Sequence, residues 1–145
     1  MRTALVTGSS GFIGFHLCTR LLAKGFRVVG VDNMSPYYDI KIKQGRQEIL
    51  QKNQNFSVFN ENIEKPGFMM GLFAAEKPDI IVHLAAQAGV RYSIENPRIY
   101  LESNIVGTFE ILEAARAHMP QHLLIASTSS AYGANTDMPF VETDK

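Results

Sequence analysis

The sequence predicts an α/β fold in which a parallel sheet is covered by helices on both faces. Short apolar segments alternate with helical segments along the whole chain of 145 residues. These segments are apolar on both faces, as expected of strands that are buried between two helical layers. A glycine-rich turn also joins the first strand to the first helix. With right-handed crossovers, this pattern predicts a doubly wound, Rossmann-like sheet of five strands.

The elements follow one another in regular order. The first helix ends at Gly25, a typical stop. The last helix is the clearest because Leu101, Ile105 and Ile111 lie near one face. Strands are predicted over 3–7, 26–32, 56–59, 79–84 and 121–127, and helices over 12–24, 38–52, 66–76 and 100–118.

Three glycines, Gly8, Gly11 and Gly14, separate the first strand from the first helix. Gly8 allows a tight turn, Gly11 allows a pyrophosphate to approach the backbone, and Gly14 allows the helix to pack close to the sheet. Free N–H groups at the helix start favour a phosphate there. The G-x-x-G-x-x-G spacing departs from the commoner G-x-G-x-x-G. The alternative is an α/β domain with a glycine-rich turn and no ligand.

Asp32 completes the dinucleotide-binding pattern. It ends the second predicted strand, eighteen residues after Gly14. There its carboxylate is placed to accept hydrogen bonds from ribose hydroxyls and to repel a 2′-phosphate. The sequence therefore predicts NAD rather than NADP as the cofactor.

Composition excludes several classes of protein. Fourteen Lys and Arg balance fourteen Asp and Glu, so no basic surplus indicates nucleic acid or an anionic membrane. Apolar runs are strand-length, shorter than the roughly 20 residues of a membrane span. The single cysteine, Cys18, is interpreted as a packing residue and is consistent with a cytoplasmic location. His16, His118 and His122 show no metal-ligand spacing, and no metal site is predicted.

Four segments resemble the extended short-chain dehydrogenase/reductase superfamily of nucleotide-sugar epimerases and dehydratases. They are Thr-Gly-x-x-Gly-Phe-Ile-Gly over 7–14, Asp-Asn over 32–33, His-Leu-Ala-Ala over 83–86 and the Ser-rich segment 127–133. Within that superfamily, Pro-Tyr-Tyr-Asp over 36–39 and the segments 83–93 and 100–108 resemble the UDP-glucuronate 4-epimerases. The resemblance covers essentially every residue here and less than half of such an enzyme.

The resemblance implies a specific chemistry. NAD⁺ takes a hydride from sugar C4 while a tyrosine removes the 4-hydroxyl proton, and the hydride returns to the other face of the 4-keto sugar. That tyrosine belongs to a Tyr-x-x-x-Lys helix after the Ser-rich segment. The one such spacing present, Tyr37 to Lys41, is interpreted as coincidence. We therefore expect an NAD-binding domain over 1–145, truncated before that helix, lacking the C-terminal substrate domain and inactive alone.

The resemblance also assigns site residues. Asn62 departs from the family, which usually has Asp there. Cofactor contacts are implied for Gly8, Gly11, Phe12, Ile13 and Gly14 at the pyrophosphate, Asp32 and Asn33 at the ribose, Asn62 and Ile63 at the adenine, Leu84, Ala85 and Ala86 at the nicotinamide ribose, and Asn104. Substrate contacts are implied for Ala88, Gly89, Val90, Arg91, Ser129 and Ser130, and a catalytic contact with the sugar 4-hydroxyl for Thr128.

Alternatives remain for several of these residues. Thr128 fits a turn or helix cap, Asn104 a polar residue satisfied within the helices, and Arg91 a solvated surface residue. His83 is interpreted as a satisfied core histidine.

Three functions stay open: an epimerase, a 4,6-dehydratase and an inactive NAD-binding module. Dehydratases typically have an Asp-Glu pair after the Ser/Thr, where this chain has Ser129 and Ser130, which favours the epimerase. The expected partners are a nucleotide sugar, for the full-length enzyme, and a second subunit. Family homodimers pack two helices from each subunit, of which only 100–118 is present here.

Overall fold

The computed structural model describes residues 1–134 and 136–143. Positions 135, 144 and 145 of the predicted domain lie outside the described residues. Five parallel strands form one sheet in the order β3-β2-β1-β4-β5. The strands are β1 Thr3–Thr7, β2 Arg27–Val31, β3 Phe56–Phe59, β4 Ile80–His83 and β5 His122–Ile125. This is the strand order of a doubly wound dinucleotide-binding sheet, so the predicted fold class is confirmed.

Helices connect the successive strands. They are α1 Phe12–Ala23, α2 Ile40–Gln51, α3 Phe68–Glu76, α4 Val90–Glu95, α5 Pro97–Tyr100 and α6 Gly107–Ala117, with a π-helical turn over Leu101–Val106 and a 3₁₀ turn over Ser129–Tyr132.

The predicted helix over 100–118 differs from the observed segment. Helical structure begins earlier, with Pro97 at the first position of α5, where a missing N–H costs nothing. A π-helical turn then precedes α6, which begins at Gly107. A Cβ on Gly107 would lie 2.5 Å from Cδ1 of Ile63, so the glycine allows this helix start to approach the segment after β3. The short helix α4 was not predicted because its six residues expose most of their apolar side chains.

The apolar core has two layers, one on each face of the sheet. On one face, Leu5, Val29 and Ile81 pack against α3 and α6, where Phe73 and Ile111 are fully buried. The other layer packs against α1 and α2 and contains the following buried residues: Val6, Cys18, Val28, Leu50 and Phe56. Neighbouring strand residues point to opposite faces, so β1 and β2 contribute to both layers.

The register aligns the carboxyl ends of the central strands. Thr7, the last residue of β1, is opposite Val31 of β2 and His83 of β4. The turns that follow these three strands therefore meet at one edge of the sheet. Of the described helices, none is long and apolar enough to cross a membrane.

Candidate functional site

The turn after β1 is built from backbone hydrogen bonds. Gly8 has a φ of +70°, which favours glycine, and its N–H donates to the Val31 carbonyl at 2.7 Å. Gly11 caps α1, and its N–H donates to the Gly8 carbonyl at 3.0 Å. The first N–H groups of α1, at Phe12, Ile13 and Gly14, have no partner within the helix. Together with the helix dipole, they can hold an anionic phosphate.

Gly14 allows α1 to approach the turn after β1 closely. A Cβ at this position would lie 2.0 Å from the Gly8 carbonyl oxygen and 2.9 Å from Cα of Ser9. The nearest approach of α1 at Gly14 is therefore to the turn that directly follows β1. This glycine shapes the phosphate turn from within.

Asp32 directly follows β2 and is buried, with 4% of its surface exposed. Its Oδ2 accepts from the Ser10 N–H at 3.1 Å, and its Oδ1 accepts from the Met34 N–H at 2.9 Å. Oδ1 also pairs with Nζ of Lys43 at 3.1 Å. Two carboxylate oxygens offer about four acceptor positions. Asp32 therefore retains one position for a ribose hydroxyl, and its charge is paired with Lys43.

A second network fixes the backbone after β4. Oγ1 of Thr7 accepts from the N–H groups of Leu84 at 3.1 Å and Ala85 at 3.0 Å. These bonds use both of its lone pairs, so its own proton is donated to Nδ1 of His83, 2.7 Å away. Nε2 of His83 consequently carries the ring proton and donates to Oγ1 of Thr108 at 3.0 Å. The network holds the backbone over 84–85 against the glycine turn.

His83 is a core histidine, as predicted from the sequence. Its surface is 3% exposed, and desolvation by burial lowers its pKa from 6.5 to about 4. The ring is therefore neutral near pH 7, in the tautomer that the network requires. Burial raises the pKa of the Cys18 thiol to about 12, so Cys18 is a packing residue and not a thiolate nucleophile.

Asn104 supports the segment after β4. Its Oδ1 accepts from the Gln87 N–H at 2.7 Å, and its Nδ2 donates to the Gln87 carbonyl at 3.0 Å. The Asn104 side chain therefore holds the backbone that shapes the site. Its predicted contact with the cofactor stays a prediction. The Tyr100 hydroxyl donates to the Ala88 carbonyl at 2.8 Å, which fixes the next residue.

These turns enclose a cleft of about 580 Å³ at the carboxyl edge of the sheet. Its volume is within the usual range for small-molecule sites. The structure brings most of the predicted cofactor residues to it. Its lining includes Gly8, Gly11, Phe12, Asp32, Asn33, Asn62, Ile63, Leu84, Ala85, Ala86 and Ala88. Ile13 is exposed beside the cleft at the start of α1.

The predicted substrate residues beyond Ala88 do not line this cleft. Gly89 caps α4, and Val90 and Arg91 are exposed in its first turn. Thr128 follows β5 and accepts from the Ser130 N–H at 3.3 Å, capping the 3₁₀ turn that contains Ser129 and Ser130. All three are exposed. The observed contacts are those of the turn-cap alternative, and the substrate role stays a prediction.

Sequence reasoning missed several residues that shape the cleft. Lys43 and Arg46 line it from α2, and Tyr37 lines it from the loop after β2. The Tyr37 ring packs on Tyr92 of α4, with centroids 5.0 Å apart, so this loop meets the segment after β4. Tyr37 is thus a packing residue at the cleft. Lys43 and Arg46 are three residues apart, which places both cations on the same face of α2. This spacing is the sequence signal that could have identified them.

The donor set of the cleft suits a dinucleotide and not a metal ion. It combines open N–H groups and glycines for a pyrophosphate with a carboxylate for ribose hydroxyls. Within 1–134 and 136–143, no three His, Cys, Asp or Glu side chains form a group that could hold a metal ion.

Comparison with protein families gives a match over nearly the whole chain. The model of the family described as GDP-mannose 4,6 dehydratase matches residues 5–145. The chain is 48% identical over 141 residues to a protein of Rhizobium meliloti (strain 1021) named "Probable UDP-glucuronate 4-epimerase", covering 97% of this chain and 41% of that protein. It is 45% identical over 141 residues to "UDP-glucuronate 4-epimerase 6" of Arabidopsis thaliana, covering 97% of this chain and 30% of that protein.

Solved structures give the same result. A UDP-glucuronic acid 4-epimerase from Bacillus cereus, in complex with UDP-glucuronic acid and NAD, matches with a TM-score of 0.84 and 34% identity, covering 93% of this chain and 43% of that chain. A UDP-Glc/GlcNAc 4-epimerase from Campylobacter jejuni matches with a TM-score of 0.86 and 28% identity, covering all of this chain and 43% of that chain. The chain therefore spans less than half the length of these relatives.

Proposed function

The chain belongs to the family that the GDP-mannose 4,6 dehydratase model describes, and we propose that it is the NAD-binding part of a nucleotide-sugar 4-epimerase. The proposed substrate of the whole enzyme is UDP-glucuronate. One observation carries the cofactor assignment: the turns after β1, β2 and β4 converge on one cleft. The glycine turn, the Asp32 carboxylate and the backbone segment over 84–85 lie along its lining, and we assign them to the pyrophosphate and the riboses.

Each part of the cleft has a separate binding task. The open N–H groups at the start of α1 hold the pyrophosphate, and Asp32 accepts from a ribose hydroxyl. When bound, NAD supplies the acceptor and donor of a hydride at the sugar carbon. The Thr7–His83–Thr108 network holds the backbone over 84–85 in place before the cofactor binds. Preorganisation of this kind lowers the entropic cost of binding.

The substrate assignment is supported by the names of the relatives and by charge. UDP-glucuronate has a diphosphate and a carboxylate, and Arg91 is an exposed cation that follows the cleft-lining segment. Thr128 is at the carboxyl end of β5, an edge where open α/β sheets bind ligands. We assign Ala88, Gly89, Val90 and Arg91 to the substrate diphosphate and carboxylate, and Thr128, Ser129 and Ser130 to the sugar. Ser129 and Ser130 in place of an acidic pair favour epimerisation over dehydration.

These 145 residues alone do not supply a complete set for catalysis. An unperturbed phenol titrates near 10, so a tyrosine base needs a neighbouring lysine. The only Tyr-x-x-x-Lys in the sequence is Tyr37 to Lys41, and Tyr37 packs on Tyr92. We therefore expect the purified 145-residue chain to bind NAD and to leave UDP-glucuronate unchanged. Turnover of UDP-glucuronate by that chain would contradict this part of the proposal.

The proposal also includes a second subunit and a cytoplasmic location. Ile105, Phe109 and Leu112 expose apolar surface along the π turn and α6, the segment expected to contribute to a homodimer. The buried, unreactive Cys18 is compatible with a reducing compartment.

Calorimetric titration of the purified chain with NAD tests the cofactor assignment. Saturable binding to the wild-type chain is expected, and Asp32→Ala is expected to weaken it at least about tenfold because a carboxylate contact with the ribose is lost. Glu48→Ala is the matched control. Glu48 is also acidic, but it is an exposed residue of α2 outside the cleft lining. Equal NAD affinity in the wild-type and Asp32→Ala chains would exclude the ribose assignment.

A further inference from the structure

We propose that Lys43 and Arg46 form a latent site for a 2′-phosphate, which Asp32 keeps closed. Cofactor choice would then depend on the Asp32–Lys43 pair and not on Asp32 alone. The inference rests on the proposed dinucleotide function, and it adds a specificity determinant to that same cleft.

Lys43 is an unusual lysine because it is almost completely buried. Its side chain is 10% exposed, and that of Asp32 is 3% exposed. A buried ammonium group needs a paired anion, and Asp32 is its ion-pair partner, at 3.1 Å. Both residues line the cleft. An ammonium group offers three donors, and one of them is used by Asp32.

Arg46 is one helical turn further along α2 and faces the same cleft. One guanidinium nitrogen donates to the Tyr38 hydroxyl at 3.3 Å and to the Ser10 carbonyl at 3.4 Å. Its guanidinium carbon lies 5.7 Å from the centroid of the Phe12 ring. These partners are uncharged, so Arg46 brings a full positive charge to the cleft. Ser10 also donates its N–H to Asp32, so Arg46 and Asp32 share a neighbour.

Asp32 has two effects on a 2′-phosphate in this arrangement. Its charge repels the phosphate directly, and its ion pair occupies Lys43. A neutral side chain at position 32 would remove both obstacles and would leave two cations next to the ribose position. Lysine and arginine are the usual phosphate ligands. Three other acidic residues line the cleft: Glu61, Glu64 and Glu102. Glu61 is paired with Lys65, and Glu102 is paired with Arg98.

The test is Asp32→Asn, which preserves shape and keeps one of the two oxygens that accept from the Ser10 and Met34 N–H groups. NAD and NADP are titrated calorimetrically into the purified chain at fixed ionic strength. The wild-type chain is expected to prefer NAD. The variant is expected to bind NADP at least about tenfold more tightly than the wild type does, the effect of one charge-assisted contact. Circular dichroism checks folding, and Asp32→Ser is the second variant if Asp32→Asn is unfolded.

Double variants identify the source of the gain. Lys43→Met or Arg46→Met, each combined with Asp32→Asn, is expected to abolish most of it. Lys41→Met combined with Asp32→Asn is the matched control, because Lys41 is an exposed lysine of the same helix, and it is expected to retain the gain. Unchanged NADP affinity in folded Asp32→Asn and Asp32→Ser chains would overturn the inference. So would a gain that survives loss of both cations, or a wild-type chain that prefers NADP. Failure of the wild type to bind NAD would instead overturn the proposed function, and the inference with it.

Discussion

The sheet has two lateral halves of similar apolar residues, here called the covered side and the open side, which differ in how they are covered. The covered side comprises β1 and β2 with α1, α2 and α3, and the open side comprises β5, α4, α5 and the outer face of α6. Four residues of β1 and four of β2 are buried. In β5, by contrast, Leu124 is 46% and Ile125 is 43% exposed. A strand in the middle of the sheet has helices on both faces, whereas an edge strand has a neighbouring strand on one side only.

The difference teaches where the chain can position ligand groups accurately. On the covered side, polar groups are held by several partners at once, as in the Thr7–His83 pair and the Asp32–Lys43 pair. On the open side, Thr128 caps a turn and is exposed. The proposed contacts of Asp32 and of the backbone over 84–85 therefore lie on well-packed structure. The proposed sugar contacts lie where further structure would have to fix them.

The largest effect is expected at Gly14, in the covered side. Gly14→Ala would place a Cβ 2.0 Å from the Gly8 carbonyl oxygen, and a backbone atom cannot move aside as a side chain can. We expect a loss of about 4 kcal/mol in the free energy of unfolding, together with loss of NAD binding. Urea denaturation and calorimetry measure these effects.

Gly45→Ala is the control for that change. A Cβ at Gly45, inside α2, meets nothing within 4 Å, so alanine should stabilise the helix by about 0.5–1 kcal/mol. The same substitution therefore changes stability in opposite directions at two helical positions. Equal effects at both positions would show that the turn is not packed as described.

Thr7→Val tests the network between β1 and β4. Valine keeps the shape but leaves the N–H groups of Leu84 and Ala85 and the ring nitrogen of His83 without their partner. Unsatisfied buried groups cost about 1–3 kcal/mol each, so we expect a loss of about 3 kcal/mol in chemical denaturation. Thr19→Val is the control, and it removes an exposed hydroxyl that donates to the Phe15 carbonyl. We expect it to change the free energy of unfolding by no more than about 0.5 kcal/mol. A loss at Thr7 no larger than the loss at Thr19 would refute the network.

Stability is expected to depend on pH through His83. Its folded pKa of about 4 lies below the usual 6.5, so the unfolded chain binds a proton over a range in which the folded chain does not. The contribution of the neutral His83 ring to the free energy of unfolding is complete above pH 6.5 and is lost as the pH falls to about 4. The loss is about 2–3 kcal/mol, measured as the free energy of unfolding against pH.

Lowered carboxylate pKa values act in the same direction, because Lys65 holds the pKa of Glu61 below its ordinary value and Arg116 does so for Glu113. His83→Gln isolates the histidine by difference and should flatten the profile between pH 6.5 and 4. His122→Gln, at an exposed position of β5, should retain the wild-type profile. Identical profiles for the wild type and His83→Gln would exclude the buried neutral ring.

The smallest effect is expected on the open side. Leu112 is 45% exposed on α6, next to the fully buried Ile111. Leu112→Lys should change the free energy of unfolding by no more than about 0.5 kcal/mol. It should also reduce self-association in analytical ultracentrifugation, because an exposed apolar patch is interrupted. Strong destabilisation by Leu112→Lys would mean that this face is covered within the chain itself.

The prediction of the fold from local pattern was largely accurate. The strands over 3–7 and 56–59 have the predicted bounds, and the other three are one or two residues shorter at their ends. Helix α4 and the π turn before α6 were not predicted. Both depend on how the segment over 87–107 fits against its neighbours, as in the contact between Gly107 and Ile63, and not on a local period.

The sequence by itself determined the strand-turn-helix motif of the phosphate turn, because Gly8 and Gly11 act through local backbone geometry. It also determined the carboxylate after β2 and the apolar segments that become the sheet. Only the tertiary structure decided that Asp32 pairs with Lys43 and that His83 is held between Thr7 and Thr108. These contacts join residues distant in sequence. No local periodicity or spacing encodes them, because they exist only once the helices are packed on the sheet.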